Sequence, residues 1–515
     1  MPEISVPTSL DPLEGRRFIL ELDRRLEKFD RAILVAEWDL YTGRSARGSA
    51  AWQLRRGALL SDDRILRWVR AALARPWPKL LTRRLELLER VLVYSRVEQS
   101  PEIVRKRSEL QRRVVAFRPL WKGKRVNRAV TNRVLRRDPS AANRRRAYYS
   151  LEPLYRPLED AARELIRTRN ERARALGHRG FAEMALGFQE ITPSRLEQLA
   201  DMAIEPAPAR LRALRDRTDP RVLRSGWHPW DTTFAHARLA SLPDGAFPQR
   251  SMLPTILRAV GGWGFRTERM RFRVVFHDLP EGGLTLAPDP PGDVRVLVHP
   301  QGGWEAYHVM FHEVGHAVHS ASIRAPRHLL RWHENVPGFA GFHEGIGSLF
   351  EEISRDERWL SARPGIDPGQ AHQFAEVQRD WDVWSAAYLV GWQQVEQALY
   401  RNPDRDPTPD AKRYERRVYG FDDSPGRSFV DSFLIDLPCY SPNYLFAILF
   451  HYQIARTLRE RFGEPMWPNS RVGPWLTQNW FRPGSLYDWV PRVREVTGRP
   501  FGAEAYRAAF RTPAG

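Results

Sequence analysis

The sequence predicts an all-α, mainly helical protein with one small β-sheet. Apolar residues recur at three- and four-residue intervals along most of its 515 residues, the period of an amphipathic helix. Clusters of Pro and Gly punctuate those stretches. One region, about 271–299, breaks the period with short β-rich or alternating runs.

In chain order, Phe18, Leu22, Leu26, Phe29 and Ile33 form one apolar stripe on a long first helix. The same spacing covers Leu59 to Val93, Leu158 to Leu176, Leu196 to Ala213, Phe374 to Leu399 and Tyr444 to Phe462, with a break at Pro403 to Pro409. Phe272 to Phe276, Leu284 to Ala287 and Val294 to Val298, separated by DLPEGG and PDPPGD, predict a small antiparallel sheet. Gly302 and Gly303 end the extended chain, and a helix is expected over about 304–322. A strand edge beside that helix can hold an extended peptide by main-chain hydrogen bonds, which makes Gly283 a candidate substrate contact. No internal repeat or low-complexity segment is present.

Composition narrows the function classes. With 42% hydrophobic and 11% aromatic residues, a large core is expected rather than disorder. The first twenty residues lack a basic start followed by an apolar core, and no run approaches a membrane span, so a cytoplasmic protein with no membrane partner is expected. The one cysteine, Cys439, excludes a disulfide framework and a Cys-based zinc site. A net charge of +19 would suit a nucleic acid. Only six of the 81 basic residues are Lys, however, and the arginines are spread as on solvated helix faces, so no nucleic-acid partner is expected.

The chemistry concentrates in HEVGH, His312 to His316. On a helix, residues four apart lie on one face, so both imidazoles can share a zinc ion, while Glu313 is offset to reach a water beside it. Neutral imidazoles bind zinc, the metal lowers the water's pKa, and a carboxylate can take the proton. A catalytic zinc usually keeps three protein ligands, and Glu344 in FHEGIGSLFEEI is the expected third. Phe342, Ile346, Leu349, Phe350 and Ile353 make that segment a second amphipathic helix. Glu334, in RWHENVPG, is the alternative, although Pro337 and Gly338 suggest a loop there. Glu351 and Glu352 read as support or surface residues. His308, His319 and His343 read as donors behind the ligands, and His277 and His299 as sheet-flanking residues. One Zn2+ per chain is expected.

These segments resemble a family, the angiotensin-converting-enzyme-like peptidases, and the related thimet-oligopeptidase and oligoendopeptidase F group. DVRVLVHPQGGWEAYHVMFHEVGH, Asp293 to His316, is similar to the converting-enzyme strand and helix, including Glu305. PGFAGFHEGIGSLFEE, Pro337 to Glu352, is similar to its third-ligand helix, with Glu344 on the zinc glutamate. Weaker echoes are Ala36 to Gly43 and Arg169 to Met184. FLIDLPCYSPNYLFAILFHYQIARTL, Phe433 to Leu458, resembles the segment whose tyrosine donates to the oxyanion, which puts Tyr444 in that role and Tyr440 as fallback. The resemblance implies a single peptidase domain over 1–515. It would have two helical lobes, about 1–200 and 201–515, around a deep cleft that admits short peptides and excludes folded proteins.

The chain departs from the family where substrate would be gripped. Ser441 stands where converting enzymes carry a second tyrosine, and no Lys lies nearby to hold a terminal carboxylate. Asn443 replaces a chloride-binding arginine, the upstream histidine is absent from Phe429 to Asn443, and Ser348 replaces an aspartate behind the ligands. Tyr440, Ser441 and Gly283 are the candidate substrate contacts. The expected activity is zinc-dependent hydrolysis of short oligopeptides, tolerant of a blocked C-terminus. The alternatives are a carboxypeptidase or peptidyl dipeptidase on the same scaffold, or a metal-retaining peptide-binding module. The sequence sets no oligomeric state.

Overall fold

The computed structural model describes residues 4–45, 47–223, 226–279, 282–331, 336–421 and 428–511. It is 68% helical with small sheets, so the predicted class holds. The first helix, Pro12–Tyr41, starts where the Asp11 carboxylate accepts the Leu13 and Glu14 N–H groups. It buries Phe18, Leu22, Leu26, Phe29 and Ile33, the stripe read from sequence. Some long apolar patterns are cut by proline. Pro76 and Pro78 separate Asp63–Leu73 from Lys79–Glu98, because proline lacks the N–H a helix interior needs. The 374–399 and 444–462 patterns are continuous, in the helices Pro368–Arg401 and Ser441–Phe462.

The sheet has strands Phe272–Phe276, Gly283–Asp289 and Asp293–Val298. Its topology corrects the expected all-antiparallel pairing. The second and third strands are antiparallel, as their short link allows. The third strand lies between the other two and pairs parallel with the first, Phe272 opposite Val294. The second strand is therefore an edge, and it lies against the helix Trp304–Ser322 that carries HEVGH.

That helix is packed between the sheet and the helix Ala340–Arg355, which in turn packs on Ser441–Phe462. Glycines set the close approach. A Cβ on Gly347 would lie 2.5 Å from the His312 ring, and one on Gly345 would lie 2.6 Å from the Phe450 ring. Either would force the helices apart, so the two glycines that follow Glu344 are fixed by packing.

Several arginines are structural. Arg169 and Arg144 are fully buried and paired with Glu98 and Asp231. Arg56 and Arg84 pair with Asp30 and Asp23 at 5% exposure or less. These four arginines act inside the fold, while most of the basic charge lies outside the buried set. No described helix is long and apolar enough to cross a membrane.

Candidate active site

The helix crossing brings His312, His316 and Glu344 together, with ligand atoms of all three within 4.8 Å of one another. The two Nε2 atoms are 2.9 Å apart, and His312 Nε2 is 3.4 Å from Glu344 Oε2. The outer faces of two of these groups are tied. His312 Nδ1–H donates to Glu351 Oε1 at 2.9 Å, and the Tyr440 hydroxyl donates to Glu344 Oε1 at 3.0 Å. Two imidazoles and a carboxylate that point at one place while their backs are held form a donor set that fits zinc. Glu334 lies outside the described residues.

Glu313 sits beside this cluster, 7% exposed, under the edge strand. The Thr285 hydroxyl lies 2.6 Å from Glu313 Oε2, where it donates, and a Cβ on Gly283 would fall 2.6 Å from Glu313 Cγ. Glycine at 283 therefore lets the strand close over the carboxylate. Burial pushes the Glu313 carboxyl up to about 7, against the pull of His312 and Thr285. A bound cation would draw it back down. Burial opposes a charged His312, yet Glu344 and Glu351 hold its imidazole well above the ordinary value. Burial keeps His316 and His343 well below theirs.

The neighbouring histidines take supporting places. His343 stacks on His316 at 3.8 Å with rings 9° from parallel, and His319 packs against Phe342 and Phe481. His308 meets Ser354 Oγ at 2.9 Å and Glu351 at 3.5 Å. His299 lies 3.5 Å from Asp278 at the sheet margin. Glu305 pairs with Arg136 rather than with the cluster.

Tyr444 projects from the first turn of Ser441–Phe462, its ring 5.2 Å from that of Tyr440. Burial, then the charges of Glu344 and Glu313, push its phenol above the ordinary range, so it stays neutral. Ser441 turns the other way. It is 3% exposed and its hydroxyl donates to Glu396 Oε2 at 3.3 Å. Glu396 Oε1 also accepts the Cys439 N–H at 2.7 Å, where Cys439 has φ +55°. One feature escaped the sequence reading, and another was read only in part. Thr285 had no motif to mark it. Glu351, read as support or surface, is the group behind His312, and its place two turns beyond Glu344 on one helix face was the available signal.

No family model and no curated protein matches the sequence. Solved structures do match over nearly the whole chain. Trypanosoma cruzi metallocarboxypeptidase 1 superposes with a TM-score of 0.68 at 15% identity, over 98% of this chain and 100% of its own. The Deinococcus radiodurans R1 M32 carboxypeptidase gives 0.65 at 15%, over 97% and 98%. Pyrococcus furiosus carboxypeptidase gives 0.69 at 15%, over 98% and 99%. The chain has their fold. At this identity the likeness carries architecture, and function has to be argued from the site.

Proposed function

We propose that this protein is a zinc-dependent metallopeptidase acting on short peptides in the cytoplasm, with His312, His316 and Glu344 as metal ligands. The convergence of those three donors, braced by Glu351 and Tyr440 and set beside buried Glu313, carries the reading. A fold shared with three metallocarboxypeptidases supports it.

Zinc held there supplies Lewis-acid polarisation of a carbonyl and a water of lowered pKa. Glu313 takes the proton of the attacking water and delivers it to the leaving amine. Tyr444, held neutral, donates to the oxygen that becomes negative. The edge strand that covers Glu313 presents main-chain groups to an extended peptide, with Gly283 at its start. The oxyanion role of Tyr444 and the two-lobed division near residue 200 rest on the likeness to converting-enzyme-like peptidases.

The fold favours removal of C-terminal residues over internal cleavage, because the three structures that share it carry the name carboxypeptidase. This moves our reading from the oligopeptidase expected from sequence toward its carboxypeptidase alternative. Purified protein should contain about one zinc per chain. Glu344→Ala should lose it and Glu334→Ala should keep it, and the reverse order would overturn the ligand assignment. Peptides with a free C-terminus should be shortened from that end, and amidated copies should be cut at least about tenfold more slowly, since a carboxylate anchor is worth a charged hydrogen bond. Equal cleavage of both, with internal fragments, would restore the oligopeptidase reading.

A further inference from the structure

We propose that Thr285 is a positioning residue for the general base: its hydroxyl holds Glu313 Oε2 against the edge strand and so assigns the proton transfer to Oε1. The inference rests on the peptidase reading above. Thr285 gives the Glu313 carboxylate its only hydrogen bond among the described residues, at 2.6 Å to Oε2. That length is the one expected when a hydroxyl donates to a carboxylate. The other oxygen, Oε1, is left for a reactant.

The strand is built to keep this contact. Thr285 pairs with Val296 of the middle strand, and side chains alternate along the edge strand. Gly283 and Thr285 therefore share the face toward the HEVGH helix, while Leu284 and Leu286 pack on the opposite face with Leu34, Trp38 and Leu297. A Cβ on Gly283 would meet Glu313 Cγ at 2.6 Å and Cδ at 3.2 Å, so the strand closes on the stem of this side chain as well as on one oxygen.

Packing alone would be served by valine, which has the same branching and suits a strand equally. A hydroxyl at 7% exposure loses its water and has to be satisfied inside the fold. Both of its acceptors belong to Glu313, the main-chain oxygen at 3.0 Å and Oε2 at 2.6 Å. One proton serves one acceptor at a time, and the shorter contact to an ionisable oxygen is the stronger.

The last torsion of a glutamate is soft and roughly two-fold, so an untied carboxylate exchanges its oxygens. With Oε2 held, Oε1 takes a proton from the attacking water as the water oxygen bonds to the carbonyl carbon. It passes that proton to the amine nitrogen as the C–N bond breaks, and Glu313 ends as it began. A misplacement of about 1 Å can cost about a hundredfold in rate, which gives one hydroxyl kinetic weight here.

The test compares Thr285→Val and Thr285→Ser in the zinc-loaded enzyme on one peptide. Thr285→Val should lower kcat at least about tenfold with KM and zinc content unchanged, and Thr285→Ser, which keeps the hydroxyl, should return kcat to within about threefold. Intact kcat in Thr285→Val, equal losses in both variants, a rise in KM alone, or loss of zinc from Thr285→Val would each overturn the assignment. Thermal unfolding of the metal-free protein tests the contact without turnover. Thr285→Val should lower the melting temperature of the otherwise native chain and have little effect in a Glu313→Ala background. Equal falls in both backgrounds would show that the hydroxyl serves the main-chain oxygen alone, and would overturn the proposal. If no peptide is cleaved, the peptidase reading fails by itself, and the melting curves still decide whether Thr285 holds the carboxylate.

Discussion

Tyr440 and Tyr444 differ in where their hydroxyls go, and that difference separates metal holding from chemistry. Tyr440 donates to Glu344, so Tyr440→Phe should weaken zinc binding by about tenfold or more, the scale for a group that orients a ligand. Tyr444 is assigned to the oxyanion and not to a ligand, so Tyr444→Phe should keep its zinc and lower kcat about a hundredfold with KM little changed. Equal zinc affinity for both variants together with intact kcat in Tyr444→Phe would exchange the two assignments. Glu313→Gln should keep zinc and still bind peptide while losing nearly all turnover; intact hydrolysis would remove HEVGH from the catalytic centre. At this scale the sequence was legible where chemistry imposes a spacing. His312, Glu313 and His316 are set by the helical turn, and Glu344 by an apolar stripe. Thr285 depends on which strand arrives over Glu313 from elsewhere, and no local pattern encodes that.

Between elements, the stretch leading into the Tyr444 helix is held by two buried charges. Arg169 pairs with Glu98 and donates to the Leu434 and Ile435 carbonyls, each at 2.8 Å. Glu396 receives the Cys439 N–H and the Ser441 hydroxyl, which sets the turn from which Tyr440 and Tyr444 project. Burial pushes the Glu396 carboxyl up to about 7, with the Cys439 N–H opposing. Its folded value therefore lies above the 4.5 of an ordinary glutamate. The protonated form is favoured in the fold, so its stabilisation is complete below that ordinary value and is lost as pH rises through about 7. The loss amounts to at most about 3 kcal/mol. Glu396→Gln keeps the shape and one acceptor but cannot ionise. Its melting temperature should fall less between pH 5 and pH 8 than that of the unaltered protein, and parallel declines would remove Glu396 as the source. Neither Arg169 nor Glu396 was legible as a support, because a charged residue on a helical pattern reads as solvated surface until its partner is known.

Across the whole molecule, helices were legible because each buries one periodic face, and the sheet because its strands are short and β-rich. The order of the strands was not, since pairing between the first and third is set by contacts that cross the second. Most buried apolar residues form one cluster running from Ile4 to Phe510, with a smaller one of Leu34, Trp38, Leu279, Leu286 and Leu297 at the sheet, so distant parts of the chain share a core. Asp488, at the start of the helix Trp489–Thr497, adds a polar tie across that span. It accepts paired hydrogen bonds from Arg83 at 2.9 Å and from Arg90 at 2.7 and 3.1 Å, both on the helix Lys79–Glu98. Burial would raise this carboxyl, but the two arginines hold it well below the ordinary range. Removing the charge while keeping the shape leaves two guanidinium groups facing each other at 8% and 14% exposure. Breaking a buried pair costs about 3–5 kcal/mol, and solvent at this partly open site brings the figure toward the lower end. Asp488→Asn should therefore lower the melting temperature by several degrees while leaving zinc content at one per chain, because none of its partners touches His312, His316 or Glu344. An unchanged melting temperature would mean that the shared apolar core alone joins the two ends of the chain. Loss of zinc would mean that the tie reaches the metal site through the helices between them.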